Sequence, residues 1–61
     1  MDLSHLIHCE GVERLRAIAA DGVAARDVHL GRAALYRDRI DLHRRAARAV
    51  VALRPRHLPT H

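Results

Sequence analysis

The sequence contains no tryptophan, phenylalanine or lysine, and it has one tyrosine and one cysteine. A core must therefore be built from 8 Leu, 3 Ile and 5 Val residues beside 11 Ala. A chain of this size buries only about 60% of its unfolded surface, so its 61 residues form one small domain with a thin core. Because the lone Cys9 excludes an internal disulfide, we expect stability to be marginal unless a metal or a partner subunit adds to it.

Long apolar segments are also missing. The longest apolar run, residues 46–53, is interrupted by Arg48 and is far shorter than the roughly 20 residues of a membrane span. Near the N-terminus, Asp2, His5 and His8 interrupt any secretory signal region. A single cysteine is typical of a reducing compartment. These features predict a cytoplasmic protein without integral membrane association.

The sequence contains few of the features that an active site requires. A few short elements can hardly enclose a cleft of about 300 Å³ or more. The three glycines are scattered, and the sequence predicts neither a Ser-His-Asp set nor a nucleophilic Cys-His arrangement. We therefore expect no enzymatic activity and no cofactor.

Helical periodicity covers the first third of the chain. Large aliphatic residues recur with helical spacing at Leu3, Ile7, Leu15 and Ile18. Asp2 or Ser4 can cap the start of this segment, and Asp21-Gly22 can stop it. The pattern predicts a helix over residues 4–20 with its apolar stripe turned to the core, followed by a turn at 21–23.

A second, longer helix is predicted over residues 24–53, with Pro55 beyond its end. Residues 1–54 then form an all-α antiparallel hairpin, and residues 55–61 form a flexible C-terminal tail. Because the second helix is longer than the first, its C-terminal part lacks a partner. We therefore expect a homodimer that forms a four-helix bundle, or else an unknown protein partner. The alternative is a monomer whose second helix frays at its end. The predicted partner face consists of Leu35, Leu42, Ala46, Val50 and Leu53.

One group of residues resembles a known hairpin pattern. It comprises Glu13-Arg14-Leu15-Arg16-x-Ile18-Ala19, then His29-Leu30 with Ala33 and Tyr36. It resembles very short, uncharacterised bacterial helical-hairpin proteins, which read ERCRxLAxxA, a polar turn and HLLxLAxxY. The resemblance covers residues 10–40 and implies a helical hairpin without assigned chemistry. His29, Tyr36 and His43 also recur every seven residues, which predicts an interface seam.

A second resemblance, over residues 21–37, is to the helix-turn-helix of recombinase and repressor tails, which runs EGVSVRDVARRLGVSRATLYR. The chain reads DGVAARDV and then LGRAALYR, and it is shorter than the pattern between Val28 and Arg32. This resemblance implies a small DNA-associated protein with a degenerate helix-turn-helix.

Basic residues concentrate in the C-terminal half, where residues 37–61 contain seven Arg against two Asp. Arginine pairs bidentately with phosphate, so this excess is compatible with nucleic-acid binding. The candidate contacts are Arg37, Arg44, Arg45 and Arg48. The alternative is a solvated helix face, since Asp41 lies within helical reach of three of them. Tyr36 is the sole aromatic residue, which disfavours binding by base stacking.

Three potential metal ligands lie close together near the N-terminus. His5, His8 and Cys9 stand at positions i, i+3 and i+4, which places them on one flank of a helix. Imidazole and thiolate are ligands that Zn²⁺ accepts, although a structural site holds four. A fourth ligand would come from His57, His61 or a second subunit. The alternative is a set of ordinary surface histidines beside a half-buried Cys9.

Overall fold

The structure, a computed structural model, describes residues 2–53. Helix α1 (Leu3–Ala19) and helix α2 (Val23–Leu53) pack against each other as a hairpin, and no strand occurs in this range. The predicted fold class, two packed helices without sheet, is thereby confirmed. Both helices begin and end within one residue of the expected bounds. The expected tail, residues 55–61, lies outside the described residues.

Local signals set the ends of both helices. Asp2 caps α1, since its Oδ1 accepts a hydrogen bond from the His5 backbone N–H at 2.8 Å. At the other end of α1, the Ala20 N–H donates to the Ala17 carbonyl at 3.3 Å. Gly22 then adopts a φ of 118°, a conformation that side chains with a Cβ rarely take. The turn therefore needs its glycine to reverse the chain.

The face of α1 that packs on α2 is a heptad seam. Half-buried Leu3 begins it, and the buried residues follow at spacings of three and four: Leu6, Glu10, Glu13 and Ala17. On α2 the packing face carries half-buried His29, buried Ala33, half-buried Tyr36 and buried Ile40. This alternation is the spacing of a two-stranded coiled coil. His29 and Tyr36 thus lie at an interface, but it is one within the chain.

The expectation that Ile7, Leu15 and Ile18 face the core is wrong. These side chains are 45%, 67% and 81% exposed, respectively. The first helix carries two apolar arcs, and the arc with small Ala17 and two carboxylates is the one that packs. Small residues permit close helix approach, and the carboxylates find basic partners on α2. The contacts that α1 makes with α2 therefore determine which face packs, rather than the size of the aliphatic side chains on α1.

The two helices differ in length, with 17 residues in α1 and 31 in α2. At about 1.5 Å per residue they are roughly 26 Å and 46 Å long. Leu6, near the start of α1, lines a surface groove with Leu42 and His43. Beyond this level lies the overhang, residues 44–53 of α2, which is exposed throughout. Neither described helix contains a stretch long and apolar enough to cross a membrane.

Candidate interaction site

Two glutamates in the hairpin seam form the main polar cluster. The Glu13 Oε1 atom accepts a hydrogen bond from Nδ1 of His29 at 2.7 Å, and its Oε2 accepts one from Arg16 at 3.2 Å. The Glu10 Oε2 atom lies 3.1 Å from Nη2 of Arg37 and 2.9 Å from Nε of Arg14. Each carboxylate therefore joins a partner on α1 to a partner on α2.

The two carboxylates are nearly removed from water, whereas their arginine partners are not. The Glu10 and Glu13 side chains are 9% and 8% exposed, while Arg16 and Arg37 are about three-fifths exposed. Burying an unpaired carboxylate is costly, but no buried side-chain nitrogen or oxygen among residues 2–53 lacks a partner. A buried pair of this kind adds little net stability over an apolar pair, but it penalises any register that separates its members. The cluster therefore specifies how the helices align.

The hydrogen bond from His29 lowers the pKa of Glu13 below its ordinary value of 4.5. Burial acts in the opposite direction, while the positive charges of Arg16 and Arg32 add to the lowering. A carboxyl group with a lowered pKa in the folded state stabilises that state above its unfolded pKa. This contribution is lost as the pH falls through the pKa of the folded state.

We expect the hairpin to lose stability in acid partly through Glu13. Chemical denaturation followed by circular dichroism should show a falling free energy of unfolding from about pH 6 to pH 3. Glu13→Gln cannot titrate, so its curve should be less stable near neutrality and flatter over this interval. Parallel curves for the two proteins would contradict the assignment.

The predicted partner face lies exposed on α2. Its large members, Leu35, Leu42, Val50 and Leu53, are 64%, 61%, 59% and 84% exposed, and Ala46 is exposed as well. At about 100° per residue, this outer stripe lies about 120° round the helix from the face that packs on α1. Closing the hairpin therefore leaves the outer stripe without an intramolecular partner among the described residues.

The candidate nucleic-acid contacts fall into two groups. Arg37 donates a hydrogen bond to Glu10 in the hairpin seam. Arg44, Arg45 and Arg48 are exposed on the overhang and make no ion pair with other residues in the range 2–53. Arg37 therefore makes a structural contact while it stays exposed, whereas Arg44, Arg45 and Arg48 make no such contact within the described residues.

The candidate metal ligands are only partly brought together. Cys9 Sγ lies 3.5 Å from Nε2 of His5, whereas His8 borders a groove on the outer side of α1 with Ile7 and Gly11. Within residues 2–53 no group of three His, Cys, Asp or Glu side chains is arranged to hold a metal. The other proposed ligands, His57 and His61, lie outside the described residues.

Sequence reasoning missed the roles of Glu10 and Glu13. A signal was present, because Glu13 and His29 each lie eight residues from Asp21 in the turn, so a hairpin centred there brings them level. The arrangement as a whole is one of complementary packing surfaces, and its accessible part is the outer stripe with the overhang. No protein-family model, curated protein or solved structure matches this chain.

Proposed function

We propose that the protein is a small helical interaction module whose working form is a homodimer built on the outer stripe of α2. One observation carries this proposal: the stripe stays exposed after the hairpin has closed. The buried apolar residues among positions 2–53 are Leu6, Ala17, Ala33 and Ile40, two of which are alanines. More large aliphatic side chains are thus exposed than buried, which is typical of a subunit that requires a partner.

The energies permit such a dimer. Removing a large aliphatic side chain from water contributes about 1.5–3 kcal/mol when it was fully exposed. Four partly exposed side chains in each of two copies then contribute about 8–16 kcal/mol. Association costs about 4–15 kcal/mol in lost translational and rotational freedom. Burial of the outer stripe is therefore of the same size as the cost of pairing.

Nucleic-acid binding is the second candidate function. It is supported by the exposed Arg44, Arg45 and Arg48 on an overhang that carries no acidic residue. Phosphate contacts of this kind release counterions, so the affinity falls steeply with salt. Burial of an apolar stripe responds little to salt, because screening acts on charges. Salt dependence therefore separates the two functions.

The test measures the mass of the full chain by light scattering, at low and high salt and over a range of concentrations. The protein is treated with nuclease and freed of metal, and the ratio of absorbance at 260 to 280 nm is recorded before treatment. We expect a mass of twice 6.9 kDa at both salt concentrations, with no copurified nucleic acid. A monomer that retains nucleic acid until the salt is raised would overturn the proposal in favour of the arginines. A monomer without nucleic acid would overturn both.

A further inference from the structure

Four of the five outer-stripe residues, all except Val50, belong to a seam whose spacing is palindromic. The seam residues are Leu35, Arg39, Leu42, Ala46, Ala49 and Leu53, all of which are exposed. Their intervals are four, three, four, three and four, which read identically in both directions about residue 44. We infer that the α2 helices of two copies pair antiparallel along this seam, around a two-fold axis at the level of residue 44. This inference rests on the proposed homodimer and adds its orientation and register.

The register brings together side chains of complementary size. Residues whose numbers are symmetric about 44 face each other, so Leu42 meets Ala46 of the second copy and Leu35 meets Leu53 of the second copy. A leucine opposite an alanine allows the helices to approach closely. Arg39 meets Ala49 of the second copy, which leaves room for its aliphatic stem while the guanidinium reaches water.

The charges of α2 also favour the antiparallel orientation. Residues 35–43 carry two Asp and two Arg and have no net charge, whereas residues 45–53 carry Arg45 and Arg48 and no acid. An antiparallel pair places the basic part of each helix level with the neutral part of the other. A parallel pair would instead place the two basic parts level with each other, which is destabilising. The difference is modest for exposed groups, so charge sets the orientation more than the affinity.

In the antiparallel orientation, the second copy covers the overhang. Symmetry about residue 44 lays residues 44–53 of each copy alongside residues 35–44 of the other copy. That is close to the level at which Leu6 of α1 packs near Leu42. The overhang of one copy therefore joins the two-helix part of the other. A parallel pair would leave both overhangs together, with no third helix beside them.

Thiol cross-linking of the full chain tests this register. In a Cys9→Ser background, one sample carries Leu35→Cys and another carries Leu53→Cys, and both are treated with a short bis-maleimide alone and after mixing. We expect a covalent dimer in the mixture and none in either sample alone. In the inferred dimer the two Leu35 positions lie 18 residues apart along the axis, or about 27 Å, beyond the reach of the reagent. Arg39→Cys mixed with Ala49→Cys provides a second pair should a Leu35 or Leu53 variant fail to fold, because like positions of this pair lie ten residues apart along the axis, or about 15 Å.

A control mixes Leu15→Cys with Leu53→Cys, because Leu15 is exposed to a similar degree but lies on the outer side of α1. We expect no covalent dimer from this mixture. Cross-linking of Leu35→Cys by itself would show a parallel pair and overturn the inference while leaving the homodimer in place. A dimeric mass without cross-linking of either seam pair would show that another face associates, which also overturns it. A monomeric mass of the unlabelled protein would overturn the proposed function itself.

Discussion

Leu6→Ala is expected to unfold most of the protein at room temperature. Leu6 is 2% exposed and is the largest side chain that is almost wholly buried among the described residues. Truncating a buried leucine to alanine costs about 2–5 kcal/mol, and a domain of this size rarely has more than about 3–5 kcal/mol to lose. Far-ultraviolet circular dichroism should show a large loss of helix at low protein concentration.

The matched control is Leu15→Ala, which makes the same chemical change at a side chain that is 67% exposed. We expect this variant to remain helical and to unfold within about 0.5 kcal/mol of the parent protein, as is usual for exposed positions. Both variants should be measured at several concentrations, because a dimer stabilises its folded subunits by mass action. Equal stability of the two variants would mean that the hairpin seam through Leu6 is not the core.

The secondary structure could be predicted from the sequence because its determinants are local. Asp2 caps α1 through a contact three residues away, and Gly22 supplies the one backbone conformation that the turn requires. Both signals lie in short stretches of sequence and do not depend on the rest of the fold. The same is true of the alanine-rich, glycine-poor composition that supports a long second helix.

The packing face could not be predicted in this way, because it depends on pairs that are distant in sequence. Helix α1 has large aliphatic residues on one arc and Leu6 with Glu10 and Glu13 on another. Hydrophobicity alone predicts that the first arc packs against α2. The second arc packs because Glu13 meets His29 and Glu10 meets Arg37 across the hairpin. These pairs can be recognised only once the turn is placed, because the turn sets which residues of α1 and α2 lie beside each other.

The candidate site, like the fold, could be predicted only in part from the sequence. The outer stripe was recognised from its periodicity, and Leu35, Leu42 and Leu53 lie exposed on α2. Arg37 is exposed as well, but its hydrogen bond to Glu10 could not be predicted in the same way. Periodicity places residues on a face of a helix but does not say whether that face meets the other helix. The contact with Glu10 follows from the three-dimensional pairing alone.

Leu42→Glu is expected to dissociate the dimer. Leu42 lies near the proposed two-fold axis, so each substitution acts twice, once in each copy. Losing about 2 kcal/mol of apolar burial at each of two sites weakens pairing by about 4 kcal/mol, which raises the Kd about 10³-fold. Light scattering should then show a monomer at concentrations where the parent chain is dimeric. Leu15→Glu introduces the same charge at a comparable exposure on α1, and it should leave the mass unchanged.

Dissociation by Leu42→Glu should also lower the unfolding temperature, although Leu42 is 61% exposed in the hairpin and contributes little to its core. The reason is that a core built on Leu6, Ile40 and two alanines provides little stability to an isolated subunit. Folding and pairing are then coupled, and the unfolding temperature of the parent protein rises with its concentration. If Leu15→Glu dissociates the dimer and Leu42→Glu does not, the interface lies on the outer side of α1. In that case the outer stripe of α2 is a solvated surface.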